Sequence, residues 1–143
     1  MELKAAKLEL FDHFARVGKA VGSRPRLLLL DLLAQGEKTV EMLASQAGLT
    51  VGNTSAHLKE LRRVSLVSPR KEGAHVHYRL ASPNVHEFVR SLQTLARGQL
   101  AEAREIIGEY FSDPDVLEPV HSADLLDALR DGAVTLLDVR PPD

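Results

Sequence analysis

Between Thr39 and Arg63 the chain carries two short helical patterns hinged on a single glycine, and this pair limits what the rest can fold into. Thr39 can cap a helix over residues 40–46 whose inward positions are Val40, Leu43 and Ala44. Ala47-Gly48-Leu49 follows, and Gly48 suits the left-handed conformation that a tight helix-to-helix turn requires. Thr50 can cap a second helix over residues 51–63, with Thr54, Leu58 and Leu61 facing inward. Gly52, Asn53, Ala56, His57, Lys59 and Arg62 then face outward. Two short helices about a glycine turn, the second polar on its outer face, form a helix-turn-helix pattern.

The flanking segments give this motif a wing and a core. Residues 66–70 and 74–80 read as two strands separated by Lys71-Glu72-Gly73, with Val76, Tyr78 and Leu80 alternating against His75, His77 and Arg79. Upstream, Ser23 can cap a helix with Pro25 in its first turn. Its Leu27, Leu28, Leu29, Leu30, Leu32 and Leu33 make an apolar surface too broad for a solvent-facing helix, so it belongs at the centre of the core. Gly36 ends it.

Two further helices lie outside that core. The first, over residues 2–21, carries Leu3, Leu10, Phe14, Val17 and Val21 on one stripe. The last starts at Ser82-Pro83 and is expected to run unbroken over residues 84–110, with Val85, Phe88, Leu92 and Leu95 at heptad-like spacing. A second copy of the chain would bury both stripes, through Leu3, Leu10, Phe14, Val17, Phe88, Leu92, Leu95, Leu100 and Ile106. The expected fold is mainly α with a β-hairpin wing (α+β): a winged helix-turn-helix that dimerises through its first and last long helices.

Charge is divided along the chain. Residues 1–107 hold 16 Lys and Arg against 11 Asp and Glu, whereas residues 108–143 hold 2 against 9. A basic body with an acidic tail points to a polyanionic partner for the body alone. The chain has no cysteine, which removes disulfides, thiolate metal sites and cysteine nucleophiles. No apolar run approaches the roughly 20 residues of a membrane span, and the N-terminus lacks a signal-peptide pattern, so a cytoplasmic location is expected. The expected organisation is a DNA-binding and dimerisation domain over residues 1–111, a linker over 112–119 and a fragment over 120–143. The fragment reads as a helix capped by Ser122, a turn at Gly132 and a strand over residues 135–139, too little for a core of its own.

Residues from about 11 to 107 resemble the ArsR family of winged-helix repressors. The likeness rests on Arg26-Leu27-Leu28-Leu29-Leu30-Asp31-Leu32-Leu33, Leu43-Ala44-Ser45-Gln46-Ala47-Gly48-Leu49, Thr54-Ser55-Ala56-His57-Leu58-Lys59-Glu60-Leu61 and Gly73-Ala74-His75-Val76-His77-Tyr78-Arg79-Leu80. It implies a homodimer on a pseudo-palindromic operator that is released by an inducer. The cysteine motif of the family's metal sensors is missing from residues 37–43, and the last helix offers only His86 and Glu87 toward the family's second metal site. The tail resembles the start of a rhodanese-type sulfurtransferase domain, on Val134-Thr135-Leu136-Leu137-Asp138-Val139-Arg140. The nucleophilic cysteine of such a domain has no counterpart here, so no sulfur transfer, catalytic residue or cofactor is assigned.

Residues 50–80 hold six Lys and Arg against two Asp and Glu. Asn53, Ala56 and His57, beside Gly52, are placed to read base edges from a helix in the major groove. Thr50, Ser55, Lys59, Arg62 and Arg63 are placed for phosphates, which set register. Arg70, Lys71, His75, His77 and Arg79 would line the wing. His75 and His77 share a strand face but lack an evident third metal ligand, and Asp12 with His13 reads as an exposed polar pair. The partners expected are double-stranded operator DNA, a second copy of the chain and an unknown small inducer. The competing readings are the regulator portion of a sulfurtransferase fusion, or a protein-protein dimerisation module.

Overall fold

The computed structural model describes residues 2–110, so the expected linker and rhodanese-like fragment lie outside the described residues. The elements run α1 (Leu3–Val21), α2 (Arg24–Leu33), β1 (Lys38–Thr39), α3 (Val40–Ala47), α4 (Val51–Arg63), β2 (Val67–Glu72), β3 (His75–Leu80), α5 (Pro83–Gln99) and α6 (Ala101–Tyr110).

Local chemistry sets the boundaries. Ser23 Oγ accepts from the Arg26 amide, Thr39 Oγ1 from Met42 and Thr50 Oγ1 from Asn53, so each of α2, α3 and α4 begins on a side-chain cap. Gly48 sits at φ 70°, ψ 34° and closes α3, as its place between the two helices predicts. Ser65, at φ 62°, turns the chain from α4 into β2, while the Leu66 amide donates to the Leu61 carbonyl.

The core is built around α2. Leu29, Leu30, Leu32 and Leu33 are buried, and they cluster with Val40 and Leu43 of α3, Leu58 and Leu61 of α4, Tyr78 of β3, and Val85 and Val89 of α5. Leu29, Leu43, Leu58 and Leu61 are completely enclosed, so truncating any one to alanine costs about 2–5 kcal/mol. Thr54 is equally enclosed and satisfies its hydroxyl by donating to the Thr50 carbonyl at 2.8 Å.

Three features depart from the sequence reading. Residues 38–39, where the sequence showed only a helix cap at Thr39, form β1, which pairs antiparallel with β3 through Lys38–Tyr78 and Thr39–His77. The sheet order is therefore β1-β3-β2. The hairpin is also longer than expected: Lys71 and Glu72 belong to β2, Glu72 pairs with His75, and Gly73-Ala74 alone make the turn, with Gly73 at φ 61°. Pro69 is accommodated because β2 is an edge strand.

The expected single helix over residues 84–110 is two helices. Leu100 is extended at φ −103°, ψ 118°, and separates α5 from α6. Gly98 weakens the helix just before the break, and the Arg104 guanidinium takes up its carbonyl at 2.7 Å.

α2 and α5 are also joined by a polar contact, in which Gln93 Nε2 donates to Asp31 Oδ1 at 3.3 Å. Burial pushes the Asp31 carboxyl up to about 6, and the Gln93 hydrogen bond opposes part of that rise. The folded state thus holds this proton more tightly than the unfolded chain, and stability is lost as the pH rises from 3.8 to about 6, with the full cost of the ionised carboxylate present above that. Asp31→Asn keeps an acceptor for Gln93 and is expected to raise unfolding free energy at pH 8 by about 1–2 kcal/mol, allowing for solvent screening. Denaturation at a series of pH values should show the gain shrinking from pH 6 toward pH 4; a pH-independent gain would contradict this account.

Candidate nucleic-acid interface

The outer face of α4 is aimed by its inner one. With Thr54, Leu58 and Leu61 sealed into the core, helical periodicity leaves Gly52, Asn53, Ala56, Lys59, Arg62 and Arg63 exposed, with Ser55 and His57 half-buried beside them. Thr50 is exposed at the N-terminus of the helix, where its hydroxyl is already engaged as the cap. Arg63 pairs with Glu60 one turn back at 3.2 Å, while Lys59 and Arg62 make no ion pair among the described residues.

The wing residues divide into two groups. Lys71, His75 and Arg79 are exposed. Arg70 is held by a two-pronged contact: Nη2 donates to Glu37 Oε1 at 2.6 Å and Nε to Glu37 Oε2 at 3.1 Å. Its Nη1 also meets Glu72 at 3.1 Å. His77 lies 3.6 Å from Glu72 and 4.0 Å from Glu37, and His75 lies 3.6 Å from Glu41. The cross-strand alignment of Arg70 and Thr39 with His77 explains why these groups converge. The structure thus places Arg70 and His77 among carboxylates, an arrangement that strand alternation alone did not reveal. The missed partner is Glu37, whose proximity depends on β1.

The Arg70 guanidinium holds the Glu37 carboxyl below its ordinary value. This pair therefore supports the fold above the ordinary carboxylate range and loses its contribution as the pH falls. Among the described residues, no three His, Asp or Glu side chains form a group that could hold a metal. His13 contacts Arg16 at 3.2 Å.

The apolar residues expected at a subunit interface divide in a similar way. Leu3, Leu10, Phe14, Phe88, Leu95, Leu100 and Ile106 are exposed on a single chain. Val17 packs against the core cluster, and half-buried Leu92 lines an open groove with Leu27 and Leu28 between α2 and α5. Phe11 extends the exposed face and meets Phe14 edge to face at 5.3 Å. Its spacing three residues before Phe14 is the signal that pattern reading passed over.

Residues 24–68, from the start of α2 into β2, match the bacterial regulatory proteins of the arsR family. An uncharacterized HTH-type transcriptional regulator of Mycobacterium tuberculosis, MT0088, is 31% identical over 105 residues, covering 73% of this chain and 82% of that protein. The chain belongs to the arsR family. It is a transcriptional regulator with a winged helix-turn-helix fold. The HTH-type transcriptional regulator Rv0324 of M. tuberculosis is 38% identical over 135 residues, 94% of this chain. The chain spans 59% of that relative's length. Among solved structures, a fragment (1–100) of Mb0332 from Mycobacterium bovis aligns with a TM-score of 0.64 and 40% identity, over 71% of this chain and 92% of the fragment. That fragment is a homodimeric winged helix-turn-helix DNA-binding domain of a possible ArsR-family transcriptional regulator.

Arg70→Gln is expected to let the Glu37 carboxyl return toward 4.5. Side-chain NMR titration of Glu37 in both proteins reads this directly, and identical midpoints would show that the pair does not persist in solution.

Proposed function

We propose that this arsR-family regulator is a homodimeric repressor that binds operator DNA through α4 and the wing, and is released by a small inducer. The observation that carries the reading is the outer face of α4, where Asn53, Ala56, Lys59, Arg62 and Arg63 stand exposed on a helix whose opposite side is locked in the core. A helix of this size fits the major groove. Asn53, Ala56 and His57, with Gly52 permitting close approach, meet base edges, while Thr50, Ser55, Lys59, Arg62 and Arg63 contact phosphates. Lys71, His75 and Arg79 extend the contact along the wing, and Arg70 and His77 join them where phosphate displaces their carboxylate partners.

The second copy covers the exposed apolar residues of α1, α5 and α6. The homodimeric Mb0332 domain supports that assembly, and the probable mercury resistance operon repressor of Streptomyces lividans, 31% identical over 90 residues, supports repression. The regulatory unit is assigned to residues 1–111; the linker and fragment expected at 112–119 and 120–143 lie outside the described residues. The chain acts in the cytoplasm by binding and not by catalysis. No helix among the described residues is long and apolar enough to cross a membrane.

Two expectations test this proposal. Phe14→Glu with Leu95→Glu should convert a dimer into a folded monomer in sedimentation velocity; an unchanged sedimentation coefficient would move the interface elsewhere. Arg62→Ala with Arg63→Ala should weaken binding to every duplex and flatten the dependence of log affinity on log salt by about one unit for each phosphate that is no longer neutralised. Fluorescence anisotropy on the upstream duplex of the gene and on a scrambled duplex measures both, and an unaltered slope would show that these arginines do not touch phosphate.

A further inference from the structure

His57 is the one proposed base-reading residue whose ring is held by another side chain. Arg26, on α2 and outside the helix-turn-helix, donates from Nε to His57 Nδ1 at 3.2 Å. The same guanidinium is anchored at the far side, where Nη1 donates to the Ala20 carbonyl at the end of α1 (3.1 Å). Both residues are half-buried, so the contact is partly shielded from competing water.

A guanidinium has five donors and no acceptor, so the nitrogen facing it must be the acceptor of the imidazole. Nδ1 therefore carries no hydrogen, and the ring hydrogen resides on Nε2. The two nitrogens flank Cε1, which turns Nε2–H away from the guanidinium. We propose that Arg26 is a positioning residue that fixes the His57 tautomer, so that His57 meets DNA as a hydrogen-bond donor through Nε2. The complementary chemistry on DNA is an acceptor: N7 or O6 of a purine, O4 of thymine, or a phosphate oxygen. Adenine and cytosine amino groups, which need an acceptor, are disfavoured opposite this side chain. The inference rests on the reading that α4 enters the groove, and it adds a determinant that lies outside the recognition helix.

The test has a spectroscopic arm and a binding arm. In the wild-type protein, long-range proton–nitrogen correlation spectra should show His57 with a hydrogen-free Nδ1 and a protonated Nε2. Arg26→Met should shift the ring toward a mixture of tautomers while the backbone spectrum away from Ala20 and α4 stays unchanged. A hydrogen on Nδ1 in the wild type would overturn the proposal at once.

For binding, the wild-type protein selects duplexes from a randomised pool, and the enriched duplex and its single-base variants are used as probes. Arg26→Met is expected to reduce discrimination against one variant by fivefold or more. His57→Gln places an amide donor near the Nε2 position without needing Arg26, so Arg26→Met should have no further effect on preference in that background. Equal effects in both backgrounds would make Arg26 a structural prop and reject the proposal. A change confined to one base position identifies a base acceptor; an even loss across all duplexes in the histidine background, absent from the His57→Gln protein, identifies a phosphate. Failure of the wild type to enrich any sequence would defeat the operator-binding reading itself, and with it the DNA half of this inference, whereas enrichment with an unaffected Arg26→Met profile defeats this inference alone.

Discussion

The burial of Leu58 and Leu61 against the leucines of α2 is the contact on which the rest of the molecule depends. It fixes the rotation of α4 about its axis, and that rotation decides which side chains face outward. A helix turned by one residue, about 100°, would bring Ser55, Lys59 and Arg62, or Asn53, His57 and Glu60, toward the core and push Thr54 out of it. Thr54 resists this because its hydroxyl is already satisfied within the helix, so it can be fully enclosed without leaving an orphaned donor. The outer face therefore requires few specific residues of its own to be well positioned.

Much of this was legible in the sequence because the governing forces are local or periodic. The caps at Ser23, Thr39 and Thr50, the left-handed Gly48 and the inward set of α4 all follow from rules that act within a turn or two of helix. What escaped depends on partners distant in sequence. β1 is two residues long, too short to show an alternating pattern, and exists because β3 offers it an edge. Glu37 and Arg70 are 33 residues apart, and Arg26 and His57 are 31 apart, so neither pair leaves a trace in local spacing. The break at Leu100 was hidden for another reason: Leu100, Ala103, Ile106 and Ile107 supply apolar residues at helical spacing directly beyond Gly98, which alone gave warning.

The candidate interface is thus two kinds of surface. On α4 the charges are supplied by helix periodicity and stand largely apart from the fold's own ion pairs. On the wing, Arg70 and the histidines belong to a carboxylate-rich cluster, so any anion that approaches must compete with Glu37 and Glu72. The first surface leaves Lys59 and Arg62 outside any ion pair among the described residues, whereas on the second an incoming anion would have to exchange partners. An exchange between two solvent-exposed ion pairs involves little net energy, which suits a contact that tunes placement more than affinity.

Thr39 has a double role whose consequence reaches beyond either contact. It pairs with His77 in the sheet and, through its side chain, begins α3. The wing and the helix-turn-helix are therefore riveted at one residue, and neither can tilt far without dragging the other. A load applied to the wing is delivered across Thr39 into the first turn of α3, so that sheet and helix pair answer it as one lever.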